Sequence, residues 1–202
     1  MAEMIRAWHF LRDDMRSGSG AEPAWTEGEE RTITGRLKLC DRGYHSSPTP
    51  WDALQYAPGS MLCLVEISEP VKRDKDKAVS RTRRLVRAIN IERELRLFAC
   101  DCAESAVEIV RTRGAKPDPR SLAAIATARR FANGEASVEE LDAAATSAAE
   151  AARAAAEAAW AAWAAWAAAE AASAARAARA AAEAAKAQFN EMAEALFERT
   201  SA

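Results

Sequence analysis

Past Pro119 the chain has one glycine, Gly134, and no proline, cysteine or tyrosine. The last third of the protein therefore lacks the residues that stop helices. Charge of one sign is lacking too. The formal net charge is −2, which offers no general attraction for nucleic acid or an acidic membrane surface. Met1-Ala2-Glu3-Met4-Ile5-Arg6 has neither a basic nor an apolar signal region, so a cytoplasmic location is expected. The alanine run after Leu141 does not suit a bilayer, because Arg153, Glu157, Glu170, Arg176, Arg179, Glu183 and Lys186 recur through it. Cys40, Cys63, Cys100 and Cys102 show no disulfide-framework spacing and read as reduced thiols. Cys100 and Cys102 point about 200° apart on a helix, and no histidine has ligand spacing to any cysteine, so no metal is expected. No phosphate-cradling glycine loop, Ser-His-Asp spacing or HExxH occurs.

What is present falls into three segments: an α+β domain over residues 1–92, a two-helix connector over 93–136, and a long Ala/Trp-rich helix over 137–200. In the first, Ile5 to Leu11 alternates as a strand, and Arg31 to Ile33 and Leu37 to Cys40 read as shorter ones. Asp41 to Pro48 reads as a turn, and Ser47 to Tyr56 as a short capped helix ended by Pro58-Gly59. Met61 to Ile67 is nearly continuous in apolar residues, which suits a central strand, and Lys77 to Ile91 supplies one more. The fold class that follows is α+β, a small mixed or antiparallel sheet followed by helices.

From Ile91 the period changes. Leu95, Phe98, Ala99, Cys102, Ala106, Ile109 and Val110 recur at three and four, a helix with one buried face that Gly114 and Pro117 stop. A second helix runs from Arg120 to Ala132 behind Asp118 and Pro119. Ser137 with Glu140 forms a capping box for a third, which can run unbroken to about Arg199, a rod of roughly 90 Å. On that rod Leu141, Trp160, Trp163, Trp166, Met192 and Leu196 share one side, with Phe189 at its margin. This amphipathic face either packs on the chain's own helices, self-associates or docks another protein, because bare it would be a large apolar patch.

The polar residues give a second focus. Lys72, Arg73, Lys75, Lys77, Arg81, Arg83, Arg84 and Arg87 form a basic stretch interrupted by Asp74 and Asp76. It reads as a solvated strand-and-turn surface, with a phosphate- or RNA-binding edge as the alternative. Both histidines stand at strand ends, His9 beside Trp8 and His45 within Tyr44-His45-Ser46, with Tyr56 downstream. These five residues, His9, Tyr44, His45, Ser46 and Tyr56, are the candidate ligand-binding set.

Gly43-Tyr44-His45-Ser46-Ser47, then Asp52-Ala53-Leu54-Gln55-Tyr56, then Val65-Glu66, resembles a family of uncharacterised phage and bacterial domains. That family shares a G-[FLY]-H-[AS]-S … D-A-L-x-Y … V-E core, and the resemblance spans about residues 5 to 95. It names a fold unit and no activity. The order of His9 in a first strand, Gly43-x-His45, a short helix ending in Tyr56 and an apolar strand is more distantly similar to the ADP-ribosyltransferase core. That resemblance implies NAD as ligand, with His9 on the adenosine ribose. His45 would take the place of the tyrosine that stacks on nicotinamide, with Tyr44 adjacent. The glutamate that polarises the ribose has Glu92 and Glu94 as its best-placed matches. Phe98-Ala99-Cys100-Asp101-Cys102-Ala103-Glu104, with Pro117-Asp118-Pro119-Arg120 and Asn133-Gly134-Glu135, resembles an alanine-rich module of immunity proteins from bacterial toxin systems, which implies protein binding.

The leading expectation is thus a non-enzymatic interaction or oligomerisation protein of phage or mobile-element origin, without cofactor. It would act through a protein partner or self-association on the long helix, away from membrane and nucleic acid. The alternative is an ADP-ribosyltransferase-like, NAD-binding domain using His9, Tyr44 and His45.

Overall fold

Apolar alternation in the first ninety residues and three-four periodicity after them produce an α+β protein. In chain order the front of the chain forms β1 (Met4–Leu11), β2 (Glu30–Thr32), β3 (Tyr44–Ser46), α1 (Pro50–Leu54), β4 (Met61–Ser68), β5 (Val71–Arg73), β6 (Ala78–Ser80) and β7 (Thr82–Asn90). Helices α2 (Glu92–Thr112), α3 (Pro119–Ala132), α4 (Val138–Trp163) and α5 (Ala167–Arg199) follow. The computed structural model describes residues 4–18, 22–68, 71–163 and 167–199, with no side-chain description for residues 71 and 154–178. The chain divides into two compact units, Met1–Glu92 with Lys186–Ala202, and Arg93–Ala185. The segment expected to stand as one long helix over 137–200 is thus shared between the units, and its C-terminal end belongs to the front one.

Two antiparallel sheets make up the front unit. The larger has the order β1-β4-β7-β2, which places the most apolar strand, β4, in its interior. The smaller has the order β3-β6-β5. The Lys77 to Ile91 stretch forms two strands, one in each sheet, because the chain crosses over at Arg81. Leu37 to Cys40 pairs only through an isolated Lys38–Arg42 bridge, with Cys40 at φ 62° in the tight turn. A strand there gives way to a turn, and the extended segment begins instead at Tyr44, where β3 finds β6 as partner.

Opposite faces of the larger sheet have different covers. Ala7, Leu11, Cys63, Val65, Ile67 and Leu85 form one cluster with Trp25 and Tyr44. Antiparallel register explains the grouping, since Ile5, Ala7 and His9 stand opposite Ile67, Val65 and Cys63 and alternate residues of paired strands share a face. Trp8, one step out of phase, meets Phe197 of α5 edge-on at 5.0 Å. Phe189 meets Trp51 of α1 at 5.8 Å, and Asn190 Oδ1 accepts the Trp51 backbone N–H at 2.8 Å. Lys186 bridges to Asp52, whose carboxylate also takes the hydroxyl of the N-cap Thr49.

The buried ridge of this helical end is Phe189, Ala193 and Phe197, spaced by four. Met192 and Leu196 flank it half-buried. Trp160, Trp163 and Trp166 have side chains outside the described residues.

The second unit follows its capping signals. Asp118 Oδ1 accepts the Arg120 amide at 2.8 Å ahead of α3, and Gly134, at φ 75°, follows the Asn133 C-cap. Ser137 and Glu140 make both bonds of the capping box, at 2.8 and 3.2 Å. Arg129 of α3 grips Asp101 and Glu104 of α2, which turns Cys100 rather than Cys102 into the buried cysteine of that helix. Leu141 lines a small apolar groove with Phe131 and Ala128. Among the described residues no helix is long and apolar enough to cross a membrane.

Candidate ligand-binding site

One backbone junction assembles the site. Trp8 and Ser47 exchange backbone hydrogen bonds at 2.8 and 2.7 Å, an antiparallel bridge that ties β1 to the end of β3. Continuing that register by one step sets His9 against Ser46. The two strands belong to different sheets, and a cavity of about 730 Å³ opens where they meet, a size suited to a small organic ligand. His9, Tyr44, His45, Ser46 and Tyr56 all line it.

These five residues are used differently. Among the described residues, His9 Nε2 is buried and has no hydrogen-bond partner, and the same is true of Ser46 Oγ. Burial, then the neighbouring Arg83 and His45, hold the His9 pKa well below its ordinary value, so the ring is neutral at physiological pH. A buried polar atom without a partner costs stability and is uncommon in a finished core. Two of them on one cavity wall mark the place where something else supplies the bonds.

His45 is already occupied. Its Nε2 accepts the Cys40 backbone N–H at 2.8 Å, and its ring also bonds the Gly43 backbone. Burial lowers its pKa, and the Gly43 bond opposes that shift. The ring thus clamps the Cys40–Gly43 turn, which leaves its face, and not its nitrogens, for a ligand. Gly43 is required there: at φ 132° it takes a conformation that favours glycine, and a Cβ would run into Val79. Tyr44 is buried in the core, 5.5 Å edge-on from Trp25. Tyr56 is exposed at the rim, where its hydroxyl donates to Asp76 at 2.6 Å and accepts from Lys77 at 3.3 Å. Lys77 is held above its ordinary pKa first by a hydrogen bond with the Cys40 side chain and then by Tyr56.

Two wall residues correct the sequence reading. Within the basic stretch, taken as a solvated surface, Arg83 is 3% exposed. It stands opposite Ile67 in the strand register, on the core face of the sheet. Its guanidinium lies 4.4 Å from the Trp25 ring centre and 5.0 Å from that of Tyr44. Leu85, two residues further along β7, shares that face. The carboxylates on the cavity wall are Glu22 and Asp41, whereas Glu92 and Glu94 open helix α2. Glu22 lies in an irregular segment with no periodic signal, and its Oε2 accepts from Ser17 Oγ and Trp25 Nε1.

Among the described residues no group of three or more His, Cys, Asp or Glu side chains is placed to hold a metal ion. Residues 5–97 match the family model for a domain of unknown function (DUF7666), which covers β1 to the first turns of α2 and stops short of the Phe189–Phe197 ridge. No curated protein and no solved structure matches the chain.

Proposed function

We propose that the front unit binds a nucleoside-type small molecule in the cavity between β1 and β3, with NAD as the first ligand to try. The pairing of two unpartnered buried atoms, His9 Nε2 and Ser46 Oγ, on one wall carries this reading. NAD enters through the similarity to the ADP-ribosyltransferase core, and the residues present fit its binding better than its cleavage. His9 is neutral and has a free nitrogen for a ribose hydroxyl. The role expected of a glutamate near position 92 would have to fall to Glu22, which already bonds two neutral donors. The reading is therefore of binding without turnover.

Calorimetric titration of the whole chain with NAD and with adenosine tests this, alongside an assay for nicotinamide release. Saturable binding that His9→Ala removes, with no release, is the expected result. Release that disappears in His9→Ala would replace the binding reading with a transferase. No heat with either ligand would end the nucleoside reading.

The long helix carries a second role, docking a partner or a second copy. Phe189 is spent on the front unit, with Met192 and Leu196 half-buried beside it. The role therefore falls to Leu141, Trp160, Trp163 and Trp166, whose spacing places them on one side of a helix. Light scattering should show a lower mass when the three tryptophans are changed together to alanine, and an unchanged mass would sink this second role.

A further inference from the structure

Arg83 is a buried cation with no ion pair among the described residues. Its Nη1 donates to the His45 carbonyl at 3.1 Å, and the guanidinium lies against the Trp25 and Tyr44 rings. Among the described residues no carboxylate comes within ion-pairing distance of it. Of the nearby acids, Glu22 acts on it through its charge, which opposes the effect of burial, without a direct ion pair. Glu29 pairs at 2.7 Å with Arg31, which stands directly across the strand pair from Arg83, and Glu22 bonds Ser17 and Trp25. Burial brings the Arg83 pKa down to about 10, which still leaves the guanidinium charged at neutral pH.

A desolvated charge without a directly bonded counter-ion is unfavourable, and a ligand of opposite charge relieves that cost. Aromatic rings stabilise a guanidinium but leave its in-plane N–H donors unspent. Arg83, His9 and Ser46 line the same cavity, and the last two contribute the unpartnered atoms. A fork of charged N–H groups flanked by two neutral polar atoms is the donor pattern that phosphate oxygens take.

We propose that the cavity selects its ligand by an anionic phosphate or pyrophosphate group seated on Arg83, with His9 and Ser46 bonding the remaining oxygens. This deepens the nucleoside-binding reading of the same cavity, and it can fail separately from that reading. It makes Arg83 the specificity-determining residue and leaves the uncharged part of the ligand to the Tyr56 and His45 side of the cavity.

The test is calorimetry on the whole chain with three probes: NAD, adenosine and inorganic pyrophosphate. Wild type, Arg83→Lys and Arg83→Met are compared, and near-ultraviolet circular dichroism checks the fold of each variant. Pyrophosphate should bind wild type and compete with NAD. Arg83→Met should weaken NAD by about 100-fold or more, and Arg83→Lys by about 10-fold, since a point charge replaces a fork. Should Arg83→Met fail to fold, the lysine variant and the pyrophosphate competition still decide.

Equal NAD affinity in all three proteins, with no pyrophosphate binding, would overturn the anion proposal and leave the nucleoside reading standing. Pyrophosphate binding that depends on Arg83, without any binding of NAD or adenosine, would do the reverse. Silence from all three probes would overturn both.

Discussion

His9→Leu is expected to raise the free energy of unfolding by about 1–2 kcal/mol while ending ligand binding. Most substitutions on the core face of a sheet lower stability, so the sign is the informative part. His9 stands opposite Cys63 in the run that includes Ala7 and Leu11, and its Nε2 is buried without a partner. Leucine removes that unpaired atom and adds apolar contact to the cluster around Tyr44 and Val65.

The pH dependence should change with it. Burial first, then Arg83 and His45, hold the His9 pKa well below its ordinary 6.5. As pH falls past that value the unfolded chain takes up a proton on this ring and the folded protein does not. The His9 contribution is therefore complete above pH 6.5 and is lost as pH falls below it. The wild-type protein should weaken between about pH 6.5 and about pH 5, and the leucine variant should weaken less, because His45 shifts in the same direction and remains. Urea melts at about pH 7.5 and about pH 5 measure both effects. A loss of more than about 2 kcal/mol in His9→Leu at neutral pH would make His9 a structural residue and remove the main support for the site.

Phe189→Ala should have the larger absolute effect, a loss of about 3–5 kcal/mol. Phe189 is fully buried against Trp51 of α1, and it lies nearly one hundred residues beyond the last strand. Small domains are stable by only about 5–15 kcal/mol in total, so this one change should bring the front unit close to unfolding. The same change at Met192, which is half-buried, should cost much less. Denaturant melts of the two variants decide the matter. A Phe189→Ala loss below about 1 kcal/mol would mean that the helical end is not part of the front core. The DUF7666 match, residues 5–97, does not include this ridge. A fragment cut to that match would expose Trp8 and Trp51 where Phe197 and Phe189 now sit.

Much of the local structure was legible because it depends on neighbours in the chain. The capping box of Ser137 and Glu140, the Asp118 cap with Pro119 and the Gly134 stop all act within a few residues, and each forms as its residue types require. The continuous apolar run of Met61 to Ile67 likewise implied a central strand, and β4 has a strand on either side. His9, Tyr44, His45, Ser46 and Tyr56 could be singled out because histidine is scarce and both copies stand among aromatic residues.

Chain-distant pairing decided the rest. Between Leu64 and Val65 the register of β4 with β7 shifts, so that Leu64 faces Arg87 and Val65 faces Leu85, which leaves Val86 as the extra residue of a bulge. A bulge reverses which residues of a strand point inward, and that reversal puts Arg83 and Leu85 on the core face while Arg87 stays opposite Leu64. No local pattern in a run of arginines carries that parity.

Helix α5 shows the same division. Alanine propensity and the absence of breakers determined that residues 167–199 are helical. The apolar side expected from spacing, however, ran through Met192 and Leu196 with Phe189 at its margin, whereas the buried side is Phe189, Ala193 and Phe197. What that side covers depended on the shape of the sheet surface at Trp8 and Trp51, which exists only once β1, β4 and α1 are assembled. Periodicity is a property of one segment and can be read from it, whereas a buried contact belongs to two segments and is settled only when both are in place.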